Sequence, residues 1–377
     1  MLSIEMLAAG HGDALWIEYG NSLAPRVVAI DGGPQEDDSP LLARMRQRTA
    51  GGARLRIELL VVSHVDADHI DGVLAALKSL PSGVTFGDIW FNGSEHLGPG
   101  DLLGPGTGEL LSEELRRKGL PWNEAFGSSA ATDHASSANN AVVVHPDVDL
   151  PSVDVAGLQV TLLSPTPAKL TKLRKVWRSV VQRAGVAKDT MGDLPIDEQE
   201  TPTESAYDLL GRTDMWPPDI CTLADIPPTL DKAEANGSSI GMLAEYQEGG
   251  KTCRFLLTAD CHSPVLEDSL DRLLAARGIE RLPLDAFKLP HHGSRHNLTN
   301  RLLDKVRCRR YLISTNGERS GHPDHEALAR VIVRGGPDAA LLFNYESAFN
   351  QGWKNPPPGT PSYSTEYGNG VLRVQLL

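Results

Sequence analysis

An α/β fold is what the sequence predicts, on three observations. Short apolar runs rich in β-branched residues alternate with segments of helical spacing. Strong turn signals, such as Asp31-Gly32-Gly33-Pro34, close several of these runs. Histidines and aspartates gather just after the strand-like runs, at the edge where α/β folds collect their sites.

The elements follow in order. Residues 2–9 and 13–19 are apolar runs split by Gly10-His11-Gly12, and Arg26 to Ile30 is a third strand. Leu41 to Arg48 has helical character. Ile57-Glu58-Leu59-Leu60-Val61-Val62 reads as a buried strand that stops at Ser63-His64. Ile70, Val73, Leu74 and Leu77 then mark one face of a helix over 70–80, and Asp88 to Asn92 gives another strand. Between about 93 and 235 the pattern weakens, which predicts a large irregular insertion holding one helical piece near Leu110 to Lys118 and strands at Val142 to His145 and Leu158 to Leu163. A helix at Leu170 to Val181 is amphipathic. Its polar face carries Lys169, Lys172, Arg174, Lys175, Arg178 and Arg183 without an acid, and reads either as a solvated face or as a basic wall beside an anionic substrate. The end regains order. A hairpin is expected at Ile240 to Tyr246 and Cys253 to Thr258, a helix over 264–277, strands at Ala286 to Leu289 and Arg310 to Ser314, a helix from Asp324 to Val333, a strand at Ala340 to Asn344 and an edge strand at Gly370 to Leu376.

Composition narrows the function classes. With 36 basic against 49 acidic residues the formal charge is −13, so the chain as a whole lacks the basic footprint of a protein that wraps nucleic acid or lies on an anionic membrane. No apolar run approaches 18 residues, and Glu5 stands where a secretory leader carries positive charge; the expectation is a cytoplasmic protein with no membrane partner. The 4 cysteines form no Cys-x-x-Cys pair and are too few for a disulfide scaffold. The 36 glycines and 26 prolines predict many turns and a long irregular stretch.

The chemistry concentrates at Ser63-His64-Val65-Asp66-Ala67-Asp68-His69, where a buried strand gives way to a helix. Two histidines and two carboxylates this close are costly to bury unless partnered, and a divalent metal partners them all. A helix N-cap at Asp66 or Asp68 beside ordinary surface histidines is the plainer alternative. Three further clusters, each at a strand end, weigh against it: Asp260 after Phe255 to Thr258, His291-His292-Gly293-Ser294 after Phe287 to Pro290, and Gly321-His322-Pro323-Asp324-His325.

Together, His-x-Asp-x-Asp-His, the distant aspartate and Lys-Leu-Pro-His-His-Gly-Ser resemble the metallo-β-lactamase superfamily, in particular the branch containing the hydrolase domain of the DNA-uptake protein ComEC. Gly10-His11-Gly12-Asp13-Ala14, Val28 to Gly33, Asn236-Gly237-Ser238-Ser239, Leu256 to Asp260 and Gly321-His322-Pro323 resemble segments of that branch too. The likeness covers residues 5–92 and 236–335. It implies a four-layer αββα sandwich formed as one domain over 1–377, with the insertion at about 93–235. It also implies two divalent ions: His64 and Asp66 on one, Asp68 and His69 on the other, Asp260 bridging, and His291 or His292 completing the second, with a slight lean to His292. Asp31, Asn236 and Ser238 would support these ligands from behind. Asp66 stands where the common pattern has a histidine, and Asn236 to Ser239 replaces another; a donor set richer in carboxylate moves the metal from zinc alone toward zinc or manganese.

Two ions about 3.5–4 Å apart can hold a hydroxide nucleophile and stabilise an in-line phosphoryl displacement, which suits a phosphodiesterase or nuclease. Asp68 and His322 are the expected catalytic residues, His322 as proton donor. Ser294, Lys172 and Lys175 are expected to bind a phosphodiester substrate, nucleic acid included, with His296, His325 and His11 as lesser candidates. The alternatives are a phosphodiesterase of small or cyclic nucleotides, a hydrolase of amides, lactams or thioesters, and a non-catalytic regulatory module on the same fold.

Overall fold

The computed structural model describes residues 1–34, 39–97, 106–127, 139–186, 219–336, 338–356 and 359–377, with the backbone alone for 178–186. Two mixed sheets dominate it. The first has the order β16-β1-β2-β3-β4-β5, from β1 (Leu2–Met6), β2 (Leu15–Tyr19), β3 (Arg26–Ile30), β4 (Leu55–Val61), β5 (Val84–Trp90) and β16 (Leu372–Gln375). The second has the order β15-β14-β13-β11-β9-β8-β7-β6, from β6 (Ser152–Val155), β7 (Leu158–Ser164), β8 (Gly241–Glu248), β9 (Lys251–Leu257), β11 (Ala286–Lys288), β13 (Arg310–Ile313), β14 (Ala339–Phe343) and β15 (Tyr363–Tyr367). A short parallel pair, β10 (Leu282–Leu284) with β12 (Val306–Cys308), lies apart.

Each sheet starts as antiparallel neighbours and ends as parallel ones: β3, β4 and β5 run parallel in the first, and β9, β11, β13, β14 and β15 in the second. Parallel strands need crossovers, and helices supply them. On the outer face of the first sheet lie α1 (Pro40–Thr49), α2 (Ala67–Lys78), α3 (Thr107–Lys118) and α4 (Pro167–Val186), packing Met45, Val73, Leu77, Leu111 and Trp177 onto Trp16, Ala29 and Leu60. Outside the second sheet, α7 (Ser263–Arg277), α8 (Asn300–Asp304) and α9 (His325–Arg334) pack Leu270, Leu302 and Val331 onto Leu256, Phe287 and Tyr311. Two short helices, α5 (Ile220–Asp225) and α6 (Glu234–Gly237), precede β8. Between the sheets a third core joins Ile4, Val28, Leu59 and Val61 to Met242, Phe255, Leu257 and Leu312. The layers are therefore αββα. Each such side chain, fully buried, contributes about 1.5–3 kcal/mol of transfer free energy.

Strand β4 shows how the sequence manages two buried faces. Leu59 and Val61 point between the sheets while Ile57 and Leu60 face the helices. The odd spacing comes from a bulge, in which Val27 pairs with Ile57 but Val28 with Leu59, leaving Glu58 as the extra residue.

The span expected as an irregular insertion contributes β6, β7 and α4 to the layers. The expected strand at Val142 to His145 is not one. Those residues are extended but pair with no strand: the Asn92 side chain takes the place of a partner, its Oδ1 accepting from the Val142 amide and its Nδ2 donating to the Val142 carbonyl, both at 2.9 Å. Val142 and Val144 plug the core between the sheets, while Val143 meets the helical side. The acid-rich stretch from Asp189 onward, as far as residue 218, and the side chains of Arg178 and Arg183 lie outside the described residues. No described helix is long and apolar enough to cross a membrane.

Candidate metal centre

The first half of the centre is built on β3, β4 and α2. Asp31, just past β3, has a left-handed backbone (φ 59°), which aspartate tolerates better than most residues. Its Oδ1 accepts from the Ser63 amide at 2.7 Å and its Oδ2 from the Ser63 hydroxyl at 2.7 Å, while Oδ2 lies 2.9 Å from His69 Nδ1. Asp66 takes the N-cap position of α2, yet its side chain makes no capping bond. Instead its carboxylate turns to His64 Nε2, 3.4 Å away. Helix α2 can begin this close to the turn after β3 because Gly72 lacks a side chain: a Cβ there would lie 1.9 Å from the Gly32 carbonyl oxygen.

The second half comes from the ends of β9 and β11. Asp260 follows Ala259, which is held at φ 43°, and the His291 amide donates to the Ala259 carbonyl at 2.8 Å. His291 and His292 are themselves left-handed, at φ 46° and 55°, a costly conformation that the surrounding bonds enforce. Gly293 continues it at φ 88°, where a Cβ would meet Pro323 at 2.8 Å. His292 Nδ1 is fixed on the Ser314 carbonyl at 2.8 Å, and His291 Nδ1 lies 3.0 Å from Asn297 Oδ1.

The two halves meet at Asp260. Its Oδ2 is 3.4 Å from His69 Nε2, 3.6 Å from His291 Nε2, 3.8 Å from His64 Nε2 and 3.9 Å from His292 Nε2. Asp68 Oδ2 lies 3.4 Å from His292 Nε2 and 3.8 Å from His69 Nε2. Two groups can each surround a single ion, His64 with His69 and Asp260, and Asp68 with His69 and His292. His69 belongs to both, whereas the sequence reading pairs it with the second ion alone. The Nε2 atoms of His64, His69 and His292, and Asp260 Oδ1, are buried without a hydrogen-bond partner. Orphaned buried acceptors that converge, with each ring's other nitrogen fixed from behind, are the donor arrangement a divalent ion requires.

The electrostatics agree. Burial pushes the Asp68 carboxyl up, but His69 and His292 outweigh it and hold it well below the usual range. Burial likewise opposes ionisation of Asp260, and His69, His291 and His292 override it. Burial pushes His292 down, yet Asp260 and Asp13 bring it up to about 10. His69 and His291 are raised against burial in the same way, with Asp260 foremost. Without an ion the cluster holds its carboxylates together with protons; a dication would replace those protons.

The other expected residues belong to neither ligand group. His322 is buried against His291, ring centroids 5.3 Å apart, with both nitrogens unpartnered. Its Nδ1 is 3.6 Å from Asp324 Oδ2. Asn236 donates to Asp231 Oδ2 at 2.8 Å, and the Ser238 hydroxyl to the Ala235 carbonyl at 2.6 Å. Ser294 Oγ accepts from the His296 amide at 3.3 Å, within its own loop. Lys172 and Lys175 are exposed on α4, while Lys169 on the same helix lies 2.5 Å from His262 Nδ1. His325 is turned away, accepting from Trp353 Nε1 at 3.0 Å, and His296 Nδ1 lies 2.5 Å from the Thr229 carbonyl. His11 is half-buried and in neither ligand group. The sequence assigns no role to Asp231, Asn297, Asp13 or Lys288, although Asp13 stands in the Gly10-to-Ala14 segment and Lys288 opens Lys-Leu-Pro-His-His-Gly-Ser as a cation inside an otherwise apolar strand.

No protein-family model matches the chain, and no curated protein is significantly similar to it in sequence. Among solved structures it is similar to a diphosphatase from the PhnP family (9% identity, TM-score 0.39, covering 100% of this chain and 98% of the other). It is similar also to metallo-β-lactamase SMB-1 bound to 2-mercaptoethanesulfonate (10% identity, TM-score 0.29, 88% and 92%) and to a long form of RNase Z from yeast (8% identity, TM-score 0.35, 100% and 48%). Likenesses this faint leave the functional reading to the site itself.

Proposed function

We propose that this chain is a metal-dependent hydrolase of phosphodiesters, with nucleic acid as the favoured substrate class. The observation that carries the reading is a pair of overlapping buried ligand groups, His64 with His69 and Asp260, and Asp68 with His69 and His292, whose three imidazole Nε2 atoms have no hydrogen-bond partner. His64, Asp66 and Asp260 would hold one ion and Asp68, His69, His292 and Asp260 the other, with His69 within reach of both. The carboxylate-rich donor set suits manganese or zinc. Bound there, the ions supply Lewis acidity at the phosphoryl oxygens and lower the pKa of water. Because the ligands come from both sheets, we read residues 1–377 as one domain.

The chain's own residues divide the remaining work. Asp31 orients His69 and, through Ser63, His64. His322 is assigned to protonate the leaving oxygen through Nε2: Asp324 stands behind its Nδ1 and is itself fixed by the Arg295 amide at 2.7 Å. Lys172 and Lys175 are assigned to flanking phosphates, because Lys169 brings their helix against the loop of Asp260.

With manganese added, the purified protein is expected to hydrolyse bis-p-nitrophenyl phosphate. Asp68→Ala and Asp260→Ala should abolish turnover while circular dichroism stays unchanged. Absence of turnover with every divalent metal tried would overturn the enzyme reading. Single-stranded DNA, duplex DNA, RNA and cyclic dinucleotides assayed side by side then separate a nuclease from a small-molecule phosphodiesterase.

A further inference from the structure

Behind the centre lies a buried ion pair. Lys288, the last residue of β11, donates from Nζ to Asp13 Oδ2 at 2.8 Å and to the Leu289 carbonyl at 3.1 Å. Each of the two residues is 1% exposed. An isolated buried pair is a poor source of stability, because the desolvation of both charges consumes most of the attraction between them. Its location suggests what it does instead.

Asp13 sits in the loop joining β1 to β2 and touches both members of a ligand pair that come from different sheets. Its amide donates to the Asp68 carbonyl at 3.2 Å, and its own carbonyl accepts from the Gly33 amide at 2.8 Å. Its Oδ1 is buried without a hydrogen-bond partner, 3.6 Å from His292 Nδ1. Next to it, Gly12 lets the loop lie against Asp68: a Cβ there would be 2.0 Å from the Asp68 carbonyl oxygen. The Gly12 carbonyl accepts from the Ser314 hydroxyl at 3.1 Å, and the Ser314 carbonyl holds His292 Nδ1. Lys288 is four residues before His292 on the strand that carries it. The pair therefore joins the loop behind Asp68 to the strand behind His292.

We propose that Asp13 and Lys288 are positioning residues that hold His292 of the second sheet against Asp68 of the first, and so set the affinity for the ion those two ligands share. The inference rests on the metal-centre reading. Removal of a partner that orients a metal-binding histidine typically weakens metal affinity by about 10–100-fold. Neither Asp13 nor Lys288 bonds to His64, Asp66 or Asp260, so an ion that depended on His64 should be spared.

The test is calorimetric titration of the apo protein with manganese and with zinc, using His292→Ala and His64→Ala to identify the two binding events. Asp13→Asn and Lys288→Met are expected to weaken, by about 10–100-fold, the event that His292→Ala removes. They should leave the one that His64→Ala removes at wild-type affinity, and Lys288→Arg should recover part of the loss. Leu270→Ala, a core change outside the second sheet, should lower thermal stability without changing either event; that separates positioning from general loosening. If Lys288→Met does not fold, the isosteric Asp13→Asn carries the test. Wild-type affinity in Asp13→Asn, or equal weakening of both events, overturns the inference and leaves the metal centre standing. A wild-type protein that binds no divalent ion overturns both.

Discussion

The two halves of the centre are made in opposite ways. In the first, His64, Asp66, Asp68 and His69 lie within six residues on a relaxed passage from β4 into α2, and one buried carboxylate, Asp31, organises them. In the second, Asp260 and His292 are 32 residues apart in sequence, and Ala259, His291 and His292 are forced into the left-handed region at about 1–2 kcal/mol each. The first half takes its geometry from local sequence and a single charge; the second takes it from strain enforced by neighbouring strands. The difference shows where each half is vulnerable, the first to loss of its organising charge and the second to any change in how hard its backbone is held.

The largest expected effect tests the organising charge. Asp31→Ala strands the Ser63 amide and His69 Nδ1, leaves the Ser63 hydroxyl only His64 Nδ1, and should cost about 3–5 kcal/mol in urea unfolding. Asn297→Ala in the second half removes a neutral side chain, the partner of His291 Nδ1 and the donor to Asp231 Oδ2 and to the Asp260 and Cys261 carbonyls, and should cost less, about 1–3 kcal/mol. Equal costs would break the contrast. Acid offers a second probe, confined to the side of the first sheet. His96 is buried there in neutral form, accepting from the Gly93 amide at 3.2 Å, and burial lowers it to about 4. The unfolded chain binds that proton near pH 6.5, so the stability it contributes is complete above 6.5 and is lost as pH falls toward 4, by up to about 3 kcal/mol. His96→Asn keeps an acceptor for Gly93 and should remove this part of the acid dependence in denaturant titrations from pH 7 to pH 4. The smallest effect is a difference in sign. Ala259→Gly relieves a left-handed residue and should stabilise the protein by about 0.5–1 kcal/mol, whereas Ala75→Gly in α2 should destabilise it by about 1 kcal/mol. A destabilising Ala259→Gly would show that the second half is not strained.

Legibility in the sequence follows the same division. The motif from His64 to His69 is readable because its ligands are neighbours and a buried strand followed by a helical face fixes where they stand. The distant Asp260 and the His291-His292 pair are recognisable as candidates, since each follows a strand-like run. Their assignment is less legible: with consecutive left-handed residues, the ring that meets Asp68 depends on backbone angles that no periodicity encodes. The roles of Asp13 and Lys288 are hidden for a related reason, their contact spanning 275 positions. Val142 to His145 misleads because its run of three β-branched residues reads as a strand, while its bonds go from Val142 to the Asn92 side chain and from the Val144 amide to the Pro165 carbonyl, and to no strand.

By itself the sequence determines the α/β character, the order of most elements and the residue types of a carboxylate-rich candidate metal centre, because strand and helix periods and ligand chemistry are local properties. Tertiary structure alone decides that His69 faces both ligand groups, that His292 and not His291 stands with Asp68, and that Asp13 and Lys288 lie behind them. Those outcomes depend on how two sheets pack face to face, and the distances between their strand ends are set by the shared core, not by any segment that contributes to it.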